Sequence, residues 1–468
     1  MLFSSATFLF AFLPVVALLY YLIPKRCTAA RNLFLTGASL LFYAWGEPRF
    51  VLVMLLVIVS SWLFACKIEA SAKSARKGFL LVAVSVDLTV LFVFKYLGFF
   101  TENLNRLPFV RLPVPQITLP IGISFFTFQA ISYVVDVYRG EAAQKSLWDV
   151  MLYIAFFPQL IAGPIVRYSD FADQIHNRQE SLQNWYRGGY RFAIGLGKKV
   201  ILSNNLAYVA DAAFSSVGNL SFSMAWIGAV GYSLQLYFDF SGYSDMAIGL
   251  GQMFGFHFLE NFNYPFISRS ITELWRRWHI SLGSWFRDYV YIPLGGSRCR
   301  LRRTCLNLLI VFALTGLWHG AAWQYVVFGL LHGIILCMER LGLRRALEQL
   351  PRLFRHLYTV VLLWLTLVIF GAPGLSEGLA VLRGIFTWQS GAKGYTLAAF
   401  ADTKLLLILA ASFLLCGPVQ ALCPKLKAAL YAKKAPSPAG MAGLLVLLFL
   451  GLMRVTAVTY SAFIYFQF

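Results

Sequence analysis

Long apolar blocks separated by short basic clusters run the length of this chain. The first 24 residues, Met1 to Pro24, hold no Lys, Arg, Asp or Glu, and blocks of comparable length recur down to the C-terminus. About 20 apolar residues in helical geometry cross a bilayer. The pattern predicts spans at 3–22, 32–45, 50–66, 79–100, 121–138, 192–213, 224–250, 304–318, 322–338, 356–372, 404–423 and 441–460. Residues 148–166 are long enough to span, but Ala162-Gly163-Pro164 interrupts them and Arg167, Arg178, Arg187 and Arg191 follow. A re-entrant or interfacial segment is expected there. Irregular backbone at membrane depth survives only where protein or a water-filled cavity covers it, so the middle of the chain is expected to surround a cavity. The fold class expected is all-α, a polytopic transmembrane helical protein of about 11–13 spans with re-entrant helices.

Composition agrees with lipid as the solvent: 59% of the 468 residues are apolar and 13% charged, against roughly 45–50% and about 25% in soluble domains. Lys25, Arg26 and Arg31 follow the first apolar block instead of preceding it, so residues 3–22 read as a retained span and not a signal peptide. The net charge of +20 would suggest nucleic acid in a soluble protein. In a polytopic one, Lys/Arg-rich cytoplasmic loops account for it, and nucleic acid drops out as a partner. The clusters at 25–31, 67–77, 298–303, 340–355 and 425–434 all fall on one side when the predicted spans alternate, which puts them in the cytoplasm and the N-terminus outside.

The longest polar stretches, 101–119, 167–191 and 373–403, are too short for an independent core. One membrane domain, 1–468, is therefore expected, with N-terminal helices at 1–147, a catalytic core at 148–345 and C-terminal helices at 346–468. Lys433 to Gly440 reads as a simple loop. Seven scattered cysteines form no Cys-x-x-Cys pair, and neither a disulfide framework nor a metal site is indicated.

Candidate chemistry concentrates between Ser270 and Gly296. Ser270 and Glu273 form an S-x-x-E capping box, so a helix is expected to begin near Ile271. On 3.6 periodicity Leu274, Trp278, Leu282, Trp285 and Tyr289 share one face, while Arg276, Gly283 and Arg287 line another with His279 beside them. Such a helix suits an interfacial position with Trp and Arg at headgroup level. It equally suits an anionic ligand, which Arg276, Arg277 and Arg287 would meet through bidentate contacts. Arg298, Arg300, Arg302 and Arg303 read as positive-inside residues.

His319 sits in Thr315-Gly-Leu-Trp-His-Gly-Ala-Ala-Trp323, within an uncharged run from Thr304 to Met338 that allows two short helices joined by a turn at Gly320. A lone apolar-site histidine is commonly a hydrogen-bonded core residue. Ionisable groups inside a membrane are costly, however, and a neutral imidazole there is a suitable base toward a hydroxyl. His176, His257, His332 and His356 have no partner at metal-ligand spacing and read as structural or surface residues. Asp239 and Asp245, in Gln235 to Gly249, read as acids that orient a histidine or anchor an Arg pair, or equally as members of structural ion pairs. No Gly-x-Ser-x-Gly elbow, Walker loop or dinucleotide fingerprint stands in a suitable context. A transporter is the competing class, with Asp87, Asp239 and Asp245 as proton-relay candidates, although no inverted repeat is visible.

At these residues the chain resembles the membrane-bound O-acyltransferase family, in its bacterial, alginate O-acetylation-type branch. The resemblance runs through Phe3-Ser-Ser, Phe42-Tyr-Ala-Trp45, Leu119 to Phe125, Asp136-Val-Tyr-Arg-Gly140, Ile161-Ala-Gly-Pro164, Gln235 to Gly249, Trp275 to Gly296, Leu317-Trp-His-Gly320 and Phe463 to Phe468. It implies His319 as the central catalytic residue and His279 as the second motif position. It also implies a central tunnel, an acyl-coenzyme A donor with acetyl-coenzyme A expected, and a cell-surface polysaccharide acceptor. An extracytoplasmic partner of serine-hydrolase-like fold would handle that acceptor, with D-alanyl or other acyl transfer to a cell-wall polymer as the alternative. Arg276, Arg277, Trp278 and Arg287 are then expected to bind the donor, and Trp275, Trp318, Gln235, Asp239, Ser241 and Asp245 to line the site. The expected place is the inner, cytoplasmic membrane.

Overall fold

A computed structural model describes residues 1–215, 220–388, 402–423, 438–457 and 463–464. The basic loop at 425–434, residues 389–401 of the polar stretch and the terminal motif beyond Ile464 lie outside the described residues. Among the described residues there is no strand. Six helices among the described residues are long and apolar enough to cross a membrane: Val51–Ala70, Lys73–Leu104, Leu301–His319, Trp323–Gln349, Arg352–Gly371 and Thr403–Leu422. Phe8–Leu22 and Met441–Thr456 are shorter apolar helices. In chain order the elements used below are α1 (Phe8–Leu22), α2 (Thr28–Gly46), α3 (Val51–Ala70), α4 (Lys73–Leu104), α5 (Ile123–Arg139) and α6 (Leu147–Ala155). They continue as α7 (Leu182–Gly197), α8 (Asn204–Ser215) and α9 (Phe222–Met253). Next come α10 (Ile271–Trp275), α11 (Ile280–Phe286), α12 (Leu301–His319), α13 (Trp323–Gln349) and α14 (Arg352–Gly371).

The chain divides into two compact units, Met1–Gly189 with Met246–Leu259, and Tyr190–Asp245 with Glu260–Phe468. In the first unit α3 packs on α4 and α5, and α2 on α6. Leu52, Leu56 and Leu63 of α3 point outward, 68%, 57% and 46% exposed, a surface that lipid and not water would cover. After α6 the backbone from Phe156 to Val166 is irregular, and every residue of it is buried. Two of its backbone groups are met by side chains: Ser39 Oγ accepts from Phe157 N at 3.1 Å, and the Tyr153 hydroxyl donates to Val166 O at 2.8 Å. Asp87 is held by the Ser61 hydroxyl at 3.2 Å.

The second unit holds both candidate histidines, His279 and His319. Its centre is the pair α12 and α13, which meet through glycines: a Cβ on Gly316 would stand 2.2 Å from Tyr325 O, and one on Gly329 would stand 2.2 Å from Phe312 O. Small residues let helix backbones approach this closely without a side chain between them. α14 also packs against α13. Gly329→Ala should therefore push the pair apart and lower both the thermal midpoint and the yield of monodisperse protein, since overpacking costs roughly 1–3 kcal/mol. Gly37→Ala in α2, where an added Cβ meets nothing within 4 Å, is the control and should lower neither.

Candidate active site

His319 is the last residue of α12, and the chain turns at Gly320 before α13 begins at Trp323. The helix-turn-helix expected from the uncharged run is thus present, with the histidine at its buried end, 5% exposed. The single helix expected from Ile271 is not. α10 stops at Trp275 and α11 starts at Ile280, with His279 between them at φ 44° and ψ 53°. That left-handed geometry costs a non-glycine residue about 1–2 kcal/mol. The cause of the break is a neighbouring segment: Asn263 N donates to Arg277 O at 2.9 Å, and Ile280 N donates to Asn261 O at 2.9 Å. These two bonds replace helical ones.

The start of α10 is also built differently from a simple capping box. Ser270 Oγ accepts from Glu273 N at 3.0 Å, but Glu273 reaches back to Arg269 N, one residue earlier than expected. The buried carboxylate of Glu339, from α13, accepts from Ile271 N at 2.7 Å, Thr272 N at 2.9 Å and the Thr272 hydroxyl at 2.5 Å. A carboxylate at a helix N-terminus satisfies donors that have no intrahelical partner. The short helix is thereby clamped to α13.

Arg276, Gly283 and Arg287 do share a surface, as the periodicity predicted. All three are exposed and, with buried His279 and half-buried Trp275, line a cavity of about 510 Å³. Its walls are largely apolar, from Leu282, Phe286, Leu308, Val311, Phe312 and Leu336. Trp275 is held in the wall by a relay: its indole N–H donates to His332 Nδ1 at 3.1 Å, so the other ring nitrogen donates to the Thr366 hydroxyl at 3.0 Å. A second cavity of about 410 Å³ shares Thr272 and Arg276 with the first. Arg269, Arg277, Arg344 and Arg355 line it, with Glu273 and Glu348 as the opposing charges. Arg344 and Arg355 belong to the 340–355 cluster, which charge alone marks as a cytoplasmic loop.

The two histidine rings lie 6.5 Å apart, centroid to centroid. Trp318 stands close to both, 5.8 Å from His279 and 5.0 Å from His319. Phe240 meets His279 edge-on at 4.6 Å, and Phe370 meets His319 at 5.1 Å. His279 is 1% exposed, and its Nδ1 lies 3.1 Å from the side-chain oxygen of Asn261, a residue sequence reasoning did not single out.

Other expected site residues fall elsewhere. Trp278 packs against Tyr237 and Phe262 and lines neither cavity, because the backbone turns between the two short helices. Asp245 is paired with Arg191 at 2.9 Å and Lys198 at 2.6 Å, and Asp239 with Lys199 at 2.5 Å. Of the readings open for these acids, the structural ion pair is the one observed, with two lysines and one arginine as partners. Asp239 also accepts from Ile464 N at 2.8 Å. Gln235 is half-buried and Ser241 buried on α9, and neither lines the described cavities. Arg298, Arg300, Arg302 and Arg303 line neither cavity as well. No group of three or more His, Cys, Asp or Glu suited to a metal ion occurs among the described residues.

Residues 49–372 match the model of the membrane-bound O-acyltransferase family. The chain belongs to that family. As a membrane-bound O-acyltransferase it is a multi-pass membrane enzyme that transfers an acyl group to oxygen. It is 46% identical over 403 residues to a probable alginate O-acetylase of Pseudomonas aeruginosa, covering 83% of this chain and 76% of the relative. The probable alginate O-acetylase of Azotobacter vinelandii is 40% identical over 511 aligned positions and the whole of both chains. A peptidoglycan O-acetyltransferase of Helicobacter pylori is 36% identical over 422 residues, 82% of this chain and 80% of the relative.

Proposed function

We propose that this enzyme takes an acetyl group from acetyl-coenzyme A on the cytoplasmic side of the inner membrane and passes it to a hydroxyl of a cell-surface polysaccharide. A separate extracytoplasmic protein of serine-hydrolase-like fold handles the acceptor. The observation that carries the reading is the 510 Å³ cavity joining exposed Arg276 and Arg287 to buried His279, whose ring is 6.5 Å from His319. Its apolar walls suit a thin, neutral acyl-pantetheine arm. The arginines of the adjoining cavity suit phosphate oxygens, which guanidinium groups meet bidentately.

The hydroxyl oxygen attacks the thioester carbonyl carbon while its proton passes to a histidine. The C–O bond forms, the C–S bond breaks, and the departing thiolate takes a proton. One of His319 and His279 accepts the hydroxyl proton, and the other stabilises the developing oxyanion. The acetyl group and a polysaccharide acceptor are favoured by the names of the relatives, two alginate O-acetylases and a peptidoglycan O-acetyltransferase.

The test is reconstitution. The chain in vesicles with a surface polysaccharide and the soluble protein that co-purifies with it should release coenzyme A from acetyl-coenzyme A and acetylate the polymer. Omission of the co-purified protein should reduce polymer acetylation to background. Efficient acetylation by this chain alone would remove the partner from the scheme, and no turnover of acetyl-coenzyme A under any condition would remove the donor.

A further inference from the structure

The geometry points to Asn261 as the positioning residue that makes His279 the proton acceptor of the pair, which leaves the donating, oxyanion-side role to His319. The inference rests on the proposed catalytic use of the two histidines and deepens it by dividing their roles.

The argument starts from which atom of the Asn261 amide faces His279. That atom also receives the backbone N–H of Ser281 at 3.2 Å and the Ser281 hydroxyl at 2.9 Å. A backbone N–H only donates, so the atom is the amide oxygen. The amide nitrogen points the other way and donates to the Ser244 hydroxyl at 3.1 Å. His279 Nδ1, 3.1 Å from the same oxygen, must then carry a hydrogen. A neutral imidazole has one N–H, so the lone pair resides on Nε2. A nitrogen with a lone pair accepts a proton from a hydroxyl and cannot donate a hydrogen bond to an oxyanion.

The surroundings hold this arrangement in place. Asn261 is 1% exposed, Ser281 and Ser244 each 2%. Asn261 is bound to the histidine segment twice, through its side chain and through its carbonyl to Ile280 N at 2.9 Å. The left-handed backbone at His279 puts its ring nitrogen and the Ser281 N–H on the same oxygen. Asn261 does not line the donor cavity, so it acts through the histidine and not on the donor.

The experiment compares Asn261→Leu, close in shape but without an acceptor, with Asn261→Asp, which keeps an oxygen acceptor for Nδ1–H. Full-length variants are reconstituted and assayed for transfer at varied acetyl-coenzyme A. Asn261→Leu should lower kcat by about 10²-fold or more, the size of a general-base contribution, with the donor KM changed less than about twofold. Asn261→Asp should stay within about tenfold of the parent. In a His279→Ala background Asn261→Leu should cause no further loss, because both act as one unit. If Asn261→Leu fails to fold, the Asp variant decides: kcat near the parent supports the acceptor role, and a hundredfold loss in folded protein overturns it. Retained turnover in folded Asn261→Leu, or a rise in donor KM matching the fall in kcat, also overturns it. If His279→Ala itself remains active, the catalytic reading of His279 fails first, and the two failures are thereby distinguished.

Discussion

His319→Ala is expected to cut acyl transfer at least about hundredfold, with expression, membrane insertion and thermal midpoint nearly unchanged. Loss of a positioned proton acceptor lowers rates by roughly 10²–10⁴-fold, and loss of an oxyanion donor by about 10²–10³-fold, so either role predicts a fall of that size. The fold should tolerate the change because His319 ends α12 at the turn, whereas the close backbone approach of α12 and α13 is made by Gly316, one turn earlier, and Gly329. His279→Ala should be severely impaired too. It sits in a left-handed backbone that alanine adopts no more easily, so its thermal midpoint must be measured alongside. Activity of the His319 variant within about tenfold of the parent, roughly 1.4 kcal/mol of barrier, would remove His319 from the chemistry.

Much of this site was readable from the pattern of residues. Block length located the helices, and the uncharged run from Thr304 to Met338 contained the α12–α13 pair with its turn at Gly320. The spacing of Arg276, Gly283 and Arg287 put them on one surface even though the helix that justified the spacing is broken at His279. Gly283 lies on α11 and Arg287 directly follows it. Arg276 and Trp278 both lie in the four-residue gap between the two short helices, where periodicity carries no information: Arg276 reaches the cavity and Trp278 packs away from it.

What stayed hidden depends on contacts between distant segments. Asn261 precedes His279 by 18 residues, and no spacing rule links an amide in an irregular stretch to a ring nitrogen that far away. Glu339, at the end of an uncharged run, carried a faint signal: a single acid at the edge of an apolar helix is costly unless something uses it. Its use, capping α10, needed the tertiary fold. Arg344 and Arg355 gave a signal with two meanings, since a loop that obeys the positive-inside rule and a wall of an anion-sized cavity have the same composition. Asp239 and Asp245 likewise carried a signal with two meanings. Buried carboxylates need a partner, and Arg191 on α7, with Lys198 and Lys199 directly after that helix, supplies it.

In oriented vesicles, acetyl-coenzyme A supplied only on the face that exposes the 298–303 segment should give product, and the same donor supplied only on the opposite face should give none. Coenzyme A carries several negative charges, and moving one charge to the bilayer centre costs about 2.5–3.5 kcal/mol on insertion scales. The phosphates should therefore stay where the arginines are. Arg276 stands at the junction of the two cavities, with Arg269, Arg277, Arg344 and Arg355 on the polar side and the apolar walls leading to His279 on the other. Only the neutral acyl-pantetheine arm has to enter. Single-cysteine labelling of that segment with an impermeant reagent reports which face is which in the same vesicles, so orientation and donor access are read independently. Arg276→Ala should raise the donor KM more than it lowers kcat, because a phosphate contact remote from the reacting carbonyl contributes the same binding to ground and transition states. A fall in kcat without a rise in KM would place Arg276 in the chemistry instead. Equal product from donor on either face would rule out one-sided entry, since no path through the protein could then depend on the arginine-lined mouth.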